Sequence, residues 1–263
     1  MGSPYPLTIT ILGCGTSTGV PVIGCLCPVC TSENEKNKRN RSSLLITTTH
    51  GDHIVIDTGP EFRLQMVRER ICDLRGVIYT HTHADHSRGF DDLRAFNFKK
   101  SKTIPCYVPV EHMQELKESF SYAFRESDYL GSKLLVDLKP ITDKPFSIAD
   151  LEIDSIILPH GHTTVRAYRI GQFVYATDFK EFPLDVIKKW KGTIDIMIAS
   201  GVHFTELPTH SSVQDTVKLF EVLGVRRGII THLSHCVDYV KNASLLPSNY
   251  EFAYDGMKLQ IDK

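Results

Sequence analysis

The chain has 263 residues, 41% of them apolar and 23% charged, with 17 Gly and 13 Pro, a balance that excludes a collagenous, disordered or membrane-spanning protein. Lys and Arg number 30 against 31 Asp and Glu, a formal net charge of -1, so unspecific attraction to nucleic acid or anionic lipid is not expected. No apolar run approaches the roughly 18 residues of a membrane helix, the first basic side chain is Lys36, and the seven Cys are an odd number, which together predict a cytoplasmic protein whose thiols are free or bound to metal.

In chain order, short β-branched runs alternate with helical stretches. Strands are expected at 7–12, 44–48, 53–57, 77–80, 103–108, 134–138, 151–158, 165–170, 172–176, 194–198, 227–231 and 258–261. About twelve strands overfill one flat sheet and suit two packed ones. Helical patterns cover 60–69, 90–98, 109–124, 184–189 and 212–223; Pro60 and Pro109 fit first helical turns, Ser211 reads as an N-cap, and Gly224 stops the last helix. No linker or repeat interrupts the pattern, so residues 1–263 are read as one α/β domain of two packed sheets with helices on the outer faces.

The sharpest feature is His81-Thr82-His83-Ala84-Asp85-His86, directly after a strand. Alternate residues leaving a strand share a side, so His81 and His83 can meet one metal while Asp85 and His86 turn toward a second. Imidazoles and carboxylates suit zinc, and also manganese, iron or nickel. Further ligands must come from elsewhere, and His160, Asp178 and His232 each sit where a strand ends and a loop begins, with His162 as a rival to His160.

These residues give the chain a resemblance to the metallo-β-lactamase-fold hydrolases over essentially its whole length. That resemblance implies a four-layer αββα sandwich with a dinuclear site at one edge. It also implies His81, His83 and His160 on one metal, Asp85, His86 and His232 on the other, and Asp178 bridging them. Asp57, at a strand end, matches the acidic residue near such sites; it would fix the tautomer of a ligand His, the alternative being a cap on the helix at Pro60.

Cys25, Cys27 and Cys30 place three thiols within six residues, a density that reads as a structural zinc site in want of a fourth ligand. His235 is the favoured choice, with Cys236 and Cys14 as alternatives. The run 12–21, the CxCxxC cluster, Arg39-Asn40-Arg41-Ser42-Ser43, the run 89–94 and Thr231-His232-Leu233-Ser234-His235 together resemble the PhnP-type cyclic-phosphate phosphodiesterases of the tRNase Z-like branch.

The resemblance implies hydrolysis of a small cyclic phosphodiester, a nucleoside 2',3'-cyclic phosphate or a ribose 1,2-cyclic phosphate, by a metal-bridging hydroxide, with Asp85 accepting a proton from the attacking water. His210 matches the branch's His-Ser-Thr-like motif and would protonate the leaving alkoxide, with Ser211 and the following helix N-terminus offering N–H groups to the anion. His203 is its competitor, and Arg39 or Arg41 is a candidate for a substrate phosphate. The cofactors expected are two divalent metals, zinc or manganese with nickel or iron as options, and one structural zinc. The partners expected are the small substrate and a second copy of the chain as a homodimer, with no membrane and no stable nucleic-acid partner. Two other readings stand beside this one: a tRNase Z-like RNA-processing hydrolase, and a non-catalytic zinc-braced accessory protein like the pyrroloquinoline-quinone biosynthesis protein B group.

Overall fold

The computed structural model describes residues 6–100, 102–125 and 133–261, so the ends of the expected 1–263 domain lie outside the described residues. The first sheet is built from β1 Leu7–Gly13, β2 Ser43–Thr48, β3 His53–Ile56, β4 Gly76–Ile78, β5 Ile104–Pro109 and β6 Val136–Ile141. The second takes β7 Phe146–Ile148, β8 Leu151–His160, β9 Thr163–Ile170, β10 Phe173–Ala176, β11 Ile196–Ser200, β12 Arg227–Thr231 and β13 Tyr250–Phe252, and β14 Lys258–Ile261 returns beside β1.

The layering follows from strand period two. Leu44 and Ile46 of β2 and Ile54 and Ile56 of β3 face inward to meet Leu151, Ile153, Tyr168 and Ile170 of the opposite sheet. Leu45 and Val55 point the other way, onto Phe62, Met66, Phe90 and Leu116. Those residues belong to α1 Phe62–Arg68, to the turn before α3 Arg94–Lys100, and to α4 Met113–Ser119. On the far face of the second sheet, Leu158, Val165 and Val174 pack on Trp190, Val213, Phe220 and Leu223 of two further helices, 184–190 and 213–223. The arrangement is the expected αββα sandwich.

Several local expectations shift. The helix at 60–69 begins at Phe62 with Glu61 as its cap residue, leaving Pro60 outside. Pro109 ends β5, and the 109–124 pattern breaks at Phe120 into α4 and α5 Ser121–Phe124. The cap of the 213–223 helix is Ser212, in a reciprocal box with Asp215, not Ser211, whose hydroxyl pairs with Thr216. Gly224 closes that helix at φ 71, as its lack of Cβ permits. Strands β7 and β13, at the two edges of the second sheet, escape sequence reading because three residues are too short a run for alternation to stand out. Strand β6 is displaced from 134–138 and carries Pro140, tolerated because β6 is an edge strand.

Candidate active site and metal centre

Strand direction gathers the site at one edge. Strands β3 and β4 run parallel, and beyond their carboxyl ends lie Asp57 and His81. In the second sheet β10, β11 and β12 are parallel, while β8 is antiparallel to β9 and β9 to β10, so β8, β10 and β12 all point the same way. Their ends deliver His160, Asp178 and His232 to the same edge, the usual location of sites in such sheets. His81 and His83 leave β4 in extended chain, and the short helix α2 Ala84–Ser87 then turns Asp85 and His86 back toward them.

The side chains meet as two groups. His81, His83 and His160 form one and Asp85, His86, Asp178 and His232 the other, with the ligand atoms of each group within 4.8 Å of one another. His83 Nδ1 is 3.3 Å from His160 Nε2, His86 Nε2 lies 3.1 Å from Asp178 Oδ2 and 3.2 Å from Asp85 Oδ2, and His232 Nε2 lies 3.0 Å from Asp178 Oδ1. Asp178 thus reaches both sides of the second group, and all seven residues proposed from sequence come together. His162 lines the pocket above but is in neither group.

The surrounding hydrogen bonds decide which ring nitrogen faces the centre. Thr80 Oγ1 donates to Asp57 Oδ2 at 2.8 Å and so accepts from His81 Nδ1 at 3.0 Å. Asp57 Oδ2 also accepts from His86 Nδ1 at 2.7 Å. Ser42 Oγ donates to Gly15 O at 3.0 Å and accepts from His232 Nδ1 at 2.9 Å, and Thr209 O accepts from His160 Nδ1 at 3.2 Å. Assigned this way, all four rings carry the proton on Nδ1 and present a bare Nε2 inward. The buried Nε2 atoms of His81 and His86 have no hydrogen-bond partner. Buried polar atoms left without partners are costly, and a bare nitrogen set against carboxylate oxygens, as His86 Nε2 is against Asp85 and Asp178, repels them. A pair of cations resolves both problems, so the His/Asp cluster fits a dinuclear divalent-metal site.

Electrostatics agree with that donor set. Burial holds the His81 imidazole neutral, its pKa well below the ordinary value. Burial alone would raise Asp178; without metal, positive charge on the His232 and His86 rings brings it well below the usual carboxylate range, and Asp85, Asp178 and Asp57 in turn raise His86, so the carboxylates call for positive charge that bound cations would supply in place of ring protons. Among the described residues five non-glycine positions have φ above zero, and three of them are Asp57 at 64°, Asp178 at 58° and His232 at 55°. Left-handed backbone costs about 1–2 kcal/mol in such residues, so its concentration here marks a site held in place by its surroundings.

Asp57 does not cap a helix: its two oxygens take Thr80 N at 2.8 Å, Thr80 Oγ1 and His86 Nδ1. His210 stands at the rim with its Nδ1 3.6 Å from Asp178 Oδ1 and without a hydrogen bond. It also lies within ligand distance of His160 and Asp178. Burial brings His210 down to about 4. His203 instead turns to Thr205, whose N–H it accepts at 2.9 Å. The N–H groups behind Ser211 are taken within the chain: Ser211 N donates to Phe179 O, Val213 N to His203 O and Asp215 N to the Ser212 hydroxyl. The expected anion cradle there is absent among the described residues.

The second cluster also assembles. Cys25, Cys27, Cys30 and His235 hold their ligand atoms within 4.8 Å, with Cys25 Sγ and Cys27 Sγ at 3.3 and 3.4 Å from His235 Nδ1. Cys30 N donates to Cys27 Sγ, and this hydrogen bond brings the Cys27 thiol down to about 6. Cys14 is buried against Ala253 O, and Cys236 is exposed outside the group. Three sulfurs and one imidazole are the donor set of a closed structural zinc site.

Both arginines proposed for substrate are engaged within the chain. Arg39, 2% exposed, donates to Ser234 O, Val237 O and Asn37 Oδ1, tying the 14–42 segment to the loop that carries His232 and His235. Arg41 pairs with Glu61 and donates to Ser17 O. Thr80 and Ser42 were not singled out from sequence: Ser42 meets His232 from 190 positions away, and no local signal announces it.

A profile of the β-lactamase superfamily domain matches residues 52–233, and the chain belongs to that superfamily, as a metallo-β-lactamase-fold hydrolase. Within it the chain is PhnP-like. A diphosphatase of the PhnP family is 32% identical, with 98% of each chain covered and a TM-score of 0.90. Zn-bound PqqB from Methylobacterium extorquens covers 96% of this chain and 99% of its own at TM-score 0.79, and the short form of human tRNase Z covers 96% and 98% at 0.69; both are 16% identical and show the fold alone. An octanoyltransferase of Porphyromonas gingivalis is 34% identical over 257 residues, 96% of this chain, and the chain spans 51% of that protein's length. No helix among the described residues is long and apolar enough to cross a membrane.

Proposed function

We propose that the chain is a phosphodiesterase acting on small cyclic phosphodiesters at the His81–His232 centre. The observation that carries this reading is the convergence of four Nε2 atoms, His83 Nδ1 and two carboxylates in two groups at one edge of the sandwich, with the unpartnered His210 Nδ1 beside them. His81, His83, His160, Asp85, His86, Asp178 and His232 would hold two divalent ions, zinc or manganese, which would supply Lewis-acid charge for a phosphoryl group and bring the pKa of a water toward neutrality.

The chain's own residues do the rest. Asp57, Thr80, Ser42 and the Thr209 carbonyl hold the rings in the tautomers that face inward. Asp85, 3.2 Å from His86 Nε2, accepts a proton from the attacking water. Burial keeps His210 neutral in the free chain, and an incoming phosphodiester anion raises its affinity for a proton, which it then delivers to the leaving oxygen. The Cys25–His235 cluster would hold a structural zinc that braces the loop bearing His232. A second reading, hydrolysis of a phosphoanhydride, is supported by the 32% identity to a PhnP-family diphosphatase.

The test is metal content per chain together with turnover of adenosine 2',3'-cyclic phosphate, bis(p-nitrophenyl) phosphate and a nucleoside diphosphate, for the wild type and His210→Ala. Near three metals in both proteins, with diester turnover falling about 10²- to 10⁴-fold in the variant, supports the assignment of His210 as the proton donor. Loss of a metal in the variant makes His210 a ligand instead. Preference for the diphosphate favours the second reading, and one metal with no turnover leaves a zinc-braced binding protein.

A further inference from the structure

We infer that Thr82, held from behind by His112 and Glu115, is a positioning residue for the His81–His83–His160 group, so that retention of one active-site metal depends on contacts the other does not share. The inference rests on the centre holding two ions and is independent of the phosphodiester reading. Within this group His81 and His160 are buried, and their Nδ1 atoms are fixed by Thr80 Oγ1 and Thr209 O. His83 differs: it is exposed, its Nδ1 faces His160 Nε2 at 3.3 Å, and its Nε2 has no hydrogen-bond partner among the described residues. No side chain orients this ring, so the backbone that carries it must.

That backbone is gripped from two directions. Ser87 Oγ donates to Thr82 O at 2.9 Å and lies 3.1 Å from His83 O, which closes the turn into α2. In extended chain alternate side chains point to opposite sides, so Thr82 projects away from His81 and His83. It is buried there, where its hydroxyl donates to Glu115 Oε2 and lies 3.4 Å from His112 Nδ1. His112 is buried as well; its Nε2 donates to Thr164 O at 2.9 Å, and its ring meets that of His81 edge to face with centroids 6.3 Å apart.

The support behind His112 is itself fastened. Glu111 takes the buried Arg166 guanidinium on both oxygens, at 2.9 and 3.2 Å, and Arg166 N donates to Thr80 O at 3.0 Å. Thr164 pairs with Pro159 in the β8–β9 ladder, one step from the His160–Thr163 pair. His112 thus joins the segment bearing His83 to the strand pair bearing His160, two ligands that come from different sheets. Outer contacts of this kind carry about 10- to 100-fold in metal affinity. Here they bear on the first group, while Asp57 and Ser42 serve His86 and His232 of the second.

The experiment challenges the zinc-loaded wild type, Thr82→Val, Thr82→Ser, His112→Gln and Glu115→Ala with a chromophoric zinc chelator and follows the release of each ion; the same proteins loaded with Co(II) report coordination by visible absorption. Val keeps the shape of Thr without its hydroxyl, and Gln keeps a donor for Thr164 O while losing the ring. Thr82→Val and His112→Gln should bind one ion of the centre about tenfold or more weakly, and Glu115→Ala should weaken the same ion. Thr82→Ser should stay within about threefold of the wild type, and the other centre ion and the Cys-bound ion should keep wild-type affinity in every variant. The Co(II) absorption should change for the weakened ion alone. Wild-type affinities in both Thr82→Val and Glu115→Ala overturn the inference, and so does an equal loss of all ions, which would make Thr82 part of the fold and nothing more. Glu115 is largely exposed, so its variant decides the matter if Thr82→Val does not fold. A wild type that holds a single ion at the centre also overturns the inference, whereas the expected affinities without turnover of any diester remove the phosphodiester reading alone.

Discussion

Replacing Asp57 by Asn tests the hydrogen-bond network behind the metal ligands without disturbing the backbone, because Asn tolerates the left-handed φ of 64° found there. The carboxylate takes three donors: Thr80 N at 2.8 Å on Oδ1, and Thr80 Oγ1 at 2.8 Å and His86 Nδ1 at 2.7 Å on Oδ2. If the amide oxygen replaces Oδ2, the new NH₂ faces the Thr80 N–H, donor against donor. If the amide is flipped, NH₂ faces His86 Nδ1, which must then lose its proton, and Nε2 takes it up and no longer offers a lone pair to a metal. Either arrangement loses a charge-assisted hydrogen bond of about 1.5–3 kcal/mol or leaves a buried group unpaired at about 1–3 kcal/mol. A net loss of about 2–4 kcal/mol lowers the metal-free Tm by about 2–4 °C for each kcal/mol. Through the wrong His86 tautomer, affinity for the weaker active-site metal falls by about 10- to 100-fold. Competition against a chromophoric zinc chelator reads the affinity, and the Cys-bound metal serves as an internal control that stays unchanged. Wild-type metal affinity and wild-type Tm in the Asp57→Asn variant would refute the claim that this carboxylate sets the tautomer.

Other expected outcomes follow from the same contacts. Cys27→Ser removes one sulfur from the Cys25–His235 group and should lower metal content by one per chain while the His/Asp centre still loads, checked by elemental analysis. Arg39→Met strips hydrogen bonds from three buried or half-buried acceptors and should destabilise the chain by about 3 kcal/mol or more, read by urea unfolding; Arg39→Lys should recover little, because one ammonium cannot span Ser234 O, Val237 O and Asn37 Oδ1. Burial pushes Asp255 up to about 6, against the hydrogen bonds it accepts from Asn40 N and Cys14 N. A carboxyl raised on folding favours the native state while protonated, so its contribution is complete below about pH 4 and is lost as pH rises through about 6. The stability difference between wild type and Asp255→Asn should change over that window and be flat above pH 7; a difference that is flat throughout would mean the group is already ionised at pH 4.

The local chemistry was legible in the sequence because its carriers are adjacent. His81 to His86 is a strand end running into a helical turn, and period two followed by a tight turn is enough to direct four side chains at one region. The three cysteines within six residues announced their cluster in the same way, and about twelve short β-branched runs were enough to predict two packed sheets. The helix starts were misplaced at Pro60, Pro109 and Ser211 because capping depends on side-chain direction, which composition does not show.

Tertiary structure decided what depends on contacts between distant segments. Arg39 and Arg41 sit in a basic stretch that sequence could offer to a phosphate, and the fold turns one into a buried tie and pairs the other with Glu61. Ser42 reaches His232 and Thr209 reaches His160 only because parallel strands bring loops from both sheets to one edge. A residue's type and spacing set which atoms it can offer; which partner satisfies them is a property of the packed chain, since burial removes water as the alternative and leaves only the neighbours that the fold supplies.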